Sequence, residues 1–230
     1  MLTPAARRRR RRQRGVGTME ALVASLMTIV IALAIMAFFD AQERAYASLS
    51  TYAASQNVTR TVVDLMTREI RMSSYDPTRP PSAGALTLSP GPTCASVEQG
   101  LIVAMPQRIQ FQQDLNGSGA IDAPNENITY MQVGRTIQRT DHVANTTVTL
   151  VEHVPANGFT IRYYDNQANP VEIVPTGTPA ALTATQRACV QKIAIEIESV
   201  IPDPYPDKPN LHSHVRAGVT IRNRWIQTSF

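Results

Sequence analysis

The omissions in this sequence are its most informative part. Cysteine occurs twice in 230 residues, at Cys94 and Cys189. At most one bridge is available, and in an exported domain its natural use is to tie the loop holding Cys94 to the strand that follows Cys189. In a reducing compartment the same two residues are unrelated thiols. Between Gly17 and Pro77 there is neither glycine nor proline, which excludes an ordinary turn over that whole length. From Ala21 to Phe39 there is no charged residue, and from Met1 to Gly15 there is no acid. Enzyme signatures are also missing: there is no Gly-x-Ser-x-Gly elbow, P-loop, His-Glu-x-x-His or dinucleotide fingerprint. The chain therefore reads as a non-enzyme, and no cofactor is expected beyond the calcium considered below. No internal repeat and no compositional break marks a second globular domain.

What is present begins with arginine. Arg7 to Arg12 and Arg14 lead to Gly15, followed by Val16-Gly17-Thr18-Met19-Glu20 and the uncharged run Ala21 to Phe39. As a helix, that run is about 28 Å long, close to the roughly 30 Å hydrocarbon thickness of a bilayer. Residues 16–39 are thus expected to span a membrane. The arginine block beside them acts as a positive-inside determinant rather than a nucleic-acid arm. The leader stays in the cytoplasm, and residue 40 onward lies outside. An ordinary secretory signal would place its cleavage site after the apolar core; here the boundary glycine precedes it, so the anchor is retained. Glu20 is the anomaly, because a carboxylate at the edge of a lipid-facing helix costs a few kcal/mol without a partner or a wet surface. Charge is segregated in the same way. Removing the leader's seven arginines from the 22 basic residues leaves 15 against 18 acidic residues, so the chain beyond residue 15 carries about −3.

Arg14-Gly15-Val16-Gly17-Thr18-Met19-Glu20 with Ala21-Leu22-Val23-Ala24-Ser25-Leu26 resembles the class III signal of type IV prepilins and type II secretion pseudopilins. The resemblance implies that a prepilin peptidase cuts after Gly15 and that Val16 becomes the N-methylated terminus. It also implies that Glu20 is the hallmark assembly acid of the mature chain. Most members have Phe or Met where Val16 stands, and major pilins usually carry a helix-bending proline about twenty residues after the cut. The absence of that proline fits a minor pilin better than the bulk filament subunit. The run Leu65-Met66-Thr67-Arg68-Glu69-Ile70-Arg71 before Tyr75 resembles the helix end of the PilW group of minor pilins. Val148 to Val154, Phe159, Tyr163-Tyr164-Asp165 and Val219 to Arg224 add a weaker likeness to that group's head domain.

Beyond the anchor, Leu49, Tyr52, Val58, Val62, Leu65, Met66 and Ile70 recur at helical spacing, with Gln42, Arg44, Ser48, Gln56, Arg60, Asp64, Arg68 and Arg71 available for the other face. One helix is expected from Thr18 to Ser73, about 80 Å if straight. It is lipid-facing in its first half, and over residues 40–76 it is amphipathic, with the apolar stripe as domain core. Asp76-Pro77 ends it. Residues 77–100 hold five prolines and three glycines and form a loop. The period then changes to two, at Ile109 and Phe111, Val148 and Leu150, Phe159 to Tyr163, Ile193 to Ile197 and Val215 to Ile221. The expectation is an α+β architecture: a long N-terminal helix packed on a mainly antiparallel sheet in a β-rich head over residues 77–230. Thr183 to Cys189 reads as a short helix and Pro202 to Pro209 as a surface loop.

Several constellations bear on chemistry. Asp114, Asn116, Ser118 and Asp122 place oxygen ligands around a glycine turn, like the first half of a calcium loop. The closing bidentate glutamate is not at the expected distance, although Asn125 and Glu126 lie nearby. The bland alternative is a hairpin turn in which Asn116-Gly117 supplies positive φ. His212 and His214 share a face if they lie on a strand, which makes half of a metal site, but no Cys or acid stands at recognisable spacing. Arg162, Tyr163 and Tyr164 suggest a surface patch, yet the alternation puts Tyr163 inside.

The leading expectation is a minor type IV pilin that helps initiate or cap a pilus. The resemblance implies a prepilin peptidase, other minor and major pilins and an inner-membrane assembly platform as partners. It places the chain in the inner membrane with a periplasmic head, and then in the pilus. The alternatives are a type II secretion minor pseudopilin with the same address, or a signal-anchored periplasmic binding protein or enzyme that never polymerises.

Overall fold

The computed structural model describes residues 17–73, 75, 100–165, 169–176 and 179–221. The first element, α1 (Thr18–Arg71), matches the stretch without glycine or proline. Its first turn forms on the Gly17 carbonyl, which accepts from Glu20 N and Ala21 N. Its last turn tightens into i→i−3 bonds, Met72 N to Glu69 O and Ser73 N to Ile70 O. Arg68 and Arg71 sit in that last turn, where the helix dipole favours cations. The chain divides after Ala47 into two compact units.

In the first unit, every side chain from Met19 to Phe39 is exposed. Ser25 and Thr28 return their hydroxyls to the carbonyls of Leu22 and Ala24, so this stretch presents little unsatisfied polarity. Beyond it, Asp40 and Arg44 form an exposed i,i+4 pair at 3.0 Å.

The second unit, from Ser48 on, holds two antiparallel sheets rather than the single sheet expected. The first is a meander, β1 (Leu101–Met105), β2 (Arg108–Gln112), β3 (Asn127–Val133), β4 (Thr136–Asp141) and β5 (Thr146–Val151), in sequence order. The second is β6 (Phe159–Tyr164), β7 (Lys192–Ile201) and β8 (Leu211–Thr220), with α2 (Ala184–Cys189) between β6 and β7. Two-residue loops close β1–β2 and β3–β4; in the second, Gly134 takes φ +58°. α2 is capped by Thr183, whose hydroxyl accepts from Gln186 N while the Gln186 side chain accepts from Thr183 N. A backbone bond from Ile161 N to Pro106 O joins β6 to the β1–β2 turn. At the corner between the sheets, Glu198 N donates to Gly158 O, and a Cβ at Gly158 would lie 2.6 Å from Pro155 Cδ and 2.8 Å from Glu198 O. Glycine is required there by close approach.

Inward residues follow the pleat. Phe159, Ile161 and Tyr163 on β6 and Ile193, Ile195 and Ile197 on β7 are buried, and they pack with Ile109, Phe111, Ile128, Tyr130 and Ile137 of the meander. α1 contributes Thr59, Val62, Val63, Met66 and Ile70 as its buried residues. The expected stripe is therefore corrected at three positions: Leu49, Val58 and Leu65 are exposed, because the helix is rotated so that Val63 and Thr59 face inward. Val148 is likewise exposed rather than half-buried, since β5 lies at a sheet edge and its register shifts between Thr149 and Val151.

Met66 is wholly buried and Leu65 is 36% exposed. Met66→Ala is expected to destabilise the head by about 2–5 kcal/mol through cavity formation, and Leu65→Ala by roughly 0.5 kcal/mol. Urea unfolding of the full chain in detergent checks this; equal losses would contradict the helix rotation.

Candidate functional site: an apolar helix and a carboxylate-centred loop

Two features stand apart from ordinary folding needs. The first is the exposed apolar half of α1, a helix long and apolar enough to cross a membrane. Glu20 lies in its first turn, where the exposed N–H groups favour a carboxylate. Among the described residues, its side chain has no hydrogen bond or ion pair. Gly15 and Val16 lie outside the described residues.

The second feature is the connection from β2 to β3, residues 113–126. It joins two antiparallel neighbours, and Gly117 takes the positive φ expected of a hairpin connection, but the connection is longer than a tight turn. Positive φ occurs at Gly117 (74°), Gly119 (77°) and Asn125 (70°), so the chain curls rather than folds back directly. It curls around carboxylates. Asp114 accepts from Gly117 N at 2.7 Å and Gly119 N at 2.8 Å, one on each oxygen. Glu126 accepts from Leu115 N and Asn116 N on Oε1, and from Asp122 N and Ala123 N on Oε2, at 2.8–3.2 Å. Burial alone would raise the Glu126 carboxyl, but these four N–H donors outweigh it and hold its pKa below the usual value. Asn116 Nδ2 and Ser118 Oγ both donate to Asp122 Oδ1, which lowers the Asp122 pKa as well.

The four residues expected as calcium ligands, Asp114, Asn116, Ser118 and Asp122, are thus brought together within one loop. The Asp114 carboxylate serves backbone donors, and Asn116, Ser118 and Asp122 bond to one another. A cation entering here would share the oxygens of Asp114 and Glu126 with six backbone N–H groups. Among the described residues, no three His, Cys, Asp or Glu side chains converge as a metal site.

The loop is fastened by a polar relay that sequence reading missed. Arg139 on β4 makes a bidentate pair with Glu69 of α1, Nη2 to Oε1 at 2.9 Å and Nε to Oε2 at 3.2 Å. The side chains are only 14% and 15% exposed. Tyr130 donates its hydroxyl to the same Glu69, and burial together with that carboxylate pushes the Tyr130 pKa far up. Arg139 Nη2 also donates to Asn125 Oδ1 at 2.7 Å, while Asn125 N donates to Asp141 Oδ2 at 2.6 Å. Asp141 Oδ1 takes the N–H groups of Val143 and Ala144. Burial opposes ionisation of Asp141, but these donors and the nearby Arg139 charge leave its pKa lowered. No local motif announces the relay, because its members are scattered from residue 69 to 141.

His212 and His214 do lie on one face of β8, with partners from the neighbouring strand. His212 bonds Glu198 at 3.3 Å and His214 bonds Glu196 at 2.6 Å. The hydrogen bond from His214 lowers the Glu196 pKa. These are exposed cross-strand pairs, and their acids were invisible at sequence level because β7 and β8 are brought together only by pairing. Arg162 is exposed on the outer face of β6 while Tyr163 is wholly buried, its hydroxyl donating to Met105 O. Cys189 is disulfide-bonded at the end of α2; the chain's other cysteine, Cys94, lies outside the described residues. The chain matches no known protein family, no characterised protein and no solved structure.

Glu126 and Asp141 have folded-state pKa values below their unfolded ones, so their stabilisation is fully present above about pH 4.3 and is lost as pH falls through the folded values. The melting temperature is expected to be level from neutral pH to about pH 5 and to drop below about pH 4. Glu126→Gln removes acceptors from two N–H groups and should cost on the order of 2–3 kcal/mol at neutral pH while flattening the acid limb. Calorimetry across pH checks both; an unchanged acid limb in Glu126→Gln would show that this carboxylate does not carry it.

Proposed function

We propose that this chain is a minor type IV pilin of the PilW kind, a structural subunit that helps initiate or cap a pilus. In this reading a prepilin peptidase removes residues 1–15 after Gly15, and the new Val16 amine is methylated. The protein then resides in the inner membrane with its head in the periplasm until the assembly platform hands it to other minor and major pilins. The observation that carries the reading is the junction Arg14-Gly15-Val16-Gly17-Thr18-Met19-Glu20 set against the uncharged run Ala21 to Phe39. It is supported by the position of Glu20 in the first turn of a helix whose side chains to Phe39 are all exposed.

The physical role of Glu20 follows from its surroundings. In a bundle of parallel anchors its carboxylate can pair with a Val16 amine, of a neighbour or its own, and in low dielectric that attraction is much stronger than in water. It offsets the desolvation cost only when the partner is present. The charge therefore favours association in one axial register and disfavours the lone subunit.

Mass spectrometry of the membrane-extracted protein is expected to find a chain beginning at N-methylated Val16; an intact leader in cells that possess a prepilin peptidase would overturn the reading. Glu20→Ala is expected to leave processing, insertion and head folding intact but to reduce crosslinking to partner pilins and surface pilus counts by about tenfold, the effect of roughly 1.4 kcal/mol. Wild-type levels of both would favour the signal-anchored binding protein or enzyme. Loss of crosslinking in cells that carry only a type II secretion system would favour the pseudopilin.

A further inference from the structure

Alternation along β6, β7 and β8 sends Ile161, Tyr163, Ile193, Ile195 and Val219 into the core and leaves the residues between them on the outer face of the sheet. Strand pairing sorts part of that face into three rungs. Tyr164, Lys192 and Thr220 form one, Arg162, Ala194 and Gly218 the next, and Thr160, Glu196 and Arg216 the third. The middle rung sets an alanine beside a glycine, so the face sinks there. Ala194 is only 7% exposed although it points away from the core. The recess has a volume of about 360 Å³ and is lined by Tyr164, Lys192, Ala194, Arg216, Ala217 and Gly218.

Its rim is cationic. Lys192 stands on one side of the floor and Arg216 on the other, with Arg162 at the β6 end of the middle rung. Lys192 leans inward, because its Cε lies 3.5 Å from where a Cβ at Gly218 would be. Among the described residues, none of these three side chains has a hydrogen bond or an ion pair. The nearest acid, Glu196, is bonded instead to His214 at 2.6 Å; that bond, with the charges of Arg162 and Arg216 beside it, keeps its pKa low. Glu172 pairs with Tyr164 on the far side of β6, two strand spacings or roughly 10 Å from Lys192. Three cations against one adjacent acid leave a local excess of about two positive charges, in a chain that carries about −3 beyond residue 15.

We propose that this recess binds a phosphomonoester carried on a small ring compound. Cations that face each other across a concave surface focus a positive potential into it and draw an anion in. A phosphomonoester carries close to two negative charges at neutral pH, which matches the local excess. Its three free oxygens point in different directions, so Lys192 and Arg216 can meet it from opposite sides, and the Arg216 fork can take two oxygens at once. A carboxylate brings one charge and two oxygens in a single plane. The recess is larger than a phosphate group, and its volume lies in the range of small-molecule sites. The half-buried Tyr164 ring supplies a wall against which the rest of the ligand can lie.

The test titrates the full chain in non-ionic detergent at low salt with phenyl phosphate and, separately, with benzoate, by calorimetry. Phenyl phosphate is expected to saturate with a Kd below about 1 mM and to bind at least about fivefold more tightly than benzoate. Lys192→Gln and Arg216→Gln are each expected to weaken it about tenfold at an unchanged melting temperature, because both side chains are exposed. Arg60→Gln, an exposed arginine of α1, is expected to change nothing. Gly218→Val keeps every charge but fills the floor, and a Cβ there makes only ordinary contact with Lys192, so the head is expected to fold and phenyl phosphate binding to be lost. If valine prevents folding, the two glutamine variants decide. No saturation up to about 10 mM, equal binding of benzoate, an unchanged Kd in Lys192→Gln and Arg216→Gln, or binding that survives in folded Gly218→Val would each overturn the proposal. Residues 1–39 take no part in the recess, so failure here is separable from failure of the pilin reading.

Discussion

A guanidinium buried against a carboxylate fixes how the helix meets the sheet. Arg139 and Glu69 are largely shielded from water, and removing either would leave the other without its charged partner at a cost of about 1–3 kcal/mol. The pair therefore selects among packings more than it adds net stability. A one-residue slip of β4 would turn Arg139 to the other face and strand Glu69. The same contact fixes the rotation of α1 that buries Met66 and Ile70 and leaves Leu65 outside. Through Asn125 it also sets the mouth of the 113–126 loop.

That loop shows how one residue pattern serves two physical ends. Side-chain oxygens at alternate positions around glycines are what a hard cation requires, and they are equally what a chain requires to satisfy N–H groups turned inward by positive φ. In this structure the backbone N–H groups are satisfied by those oxygens, and Glu126 alone takes four of them. The loop's order is thus built on negative charge held by peptide dipoles, which ties its integrity to ionised carboxylates.

The long helix and its membrane-length apolar half were legible because their signals are continuous in sequence: the absence of charge from Ala21 to Phe39 and of breakers between Gly17 and Pro77. Strands β6, β7 and β8 were legible because strict alternation of Phe, Ile and Val with polar residues has no helical reading. β1, β3 and β4 were not. Leu101 to Met105 is apolar throughout, and Asn127 to Val133 and Thr136 to Asp141 place threonine, glutamine and arginine where simple alternation would want apolar groups. β3 and β4 are held by strands on both sides and β1 by β2 alone, and that support is tertiary. The Arg139–Glu69 relay and the Glu196 and Glu198 partners of the two histidines were illegible for the same reason. Cross-strand and helix–sheet partners are set by register, which local periodicity does not encode.

The corner at Gly158 has an evolutionary consequence. It joins the meander to the three-stranded sheet where a side chain would meet Pro155 on one side and the Glu198 carbonyl on the other. Since neither obstacle is the free end of a flexible group, a substitution there is relieved only by shifting one sheet against the other. Most surface positions in this head can drift independently, but position 158 cannot change without a compensating change in both sheets. Descendants of this fold should therefore keep the corner fixed while the two sheets diverge around it.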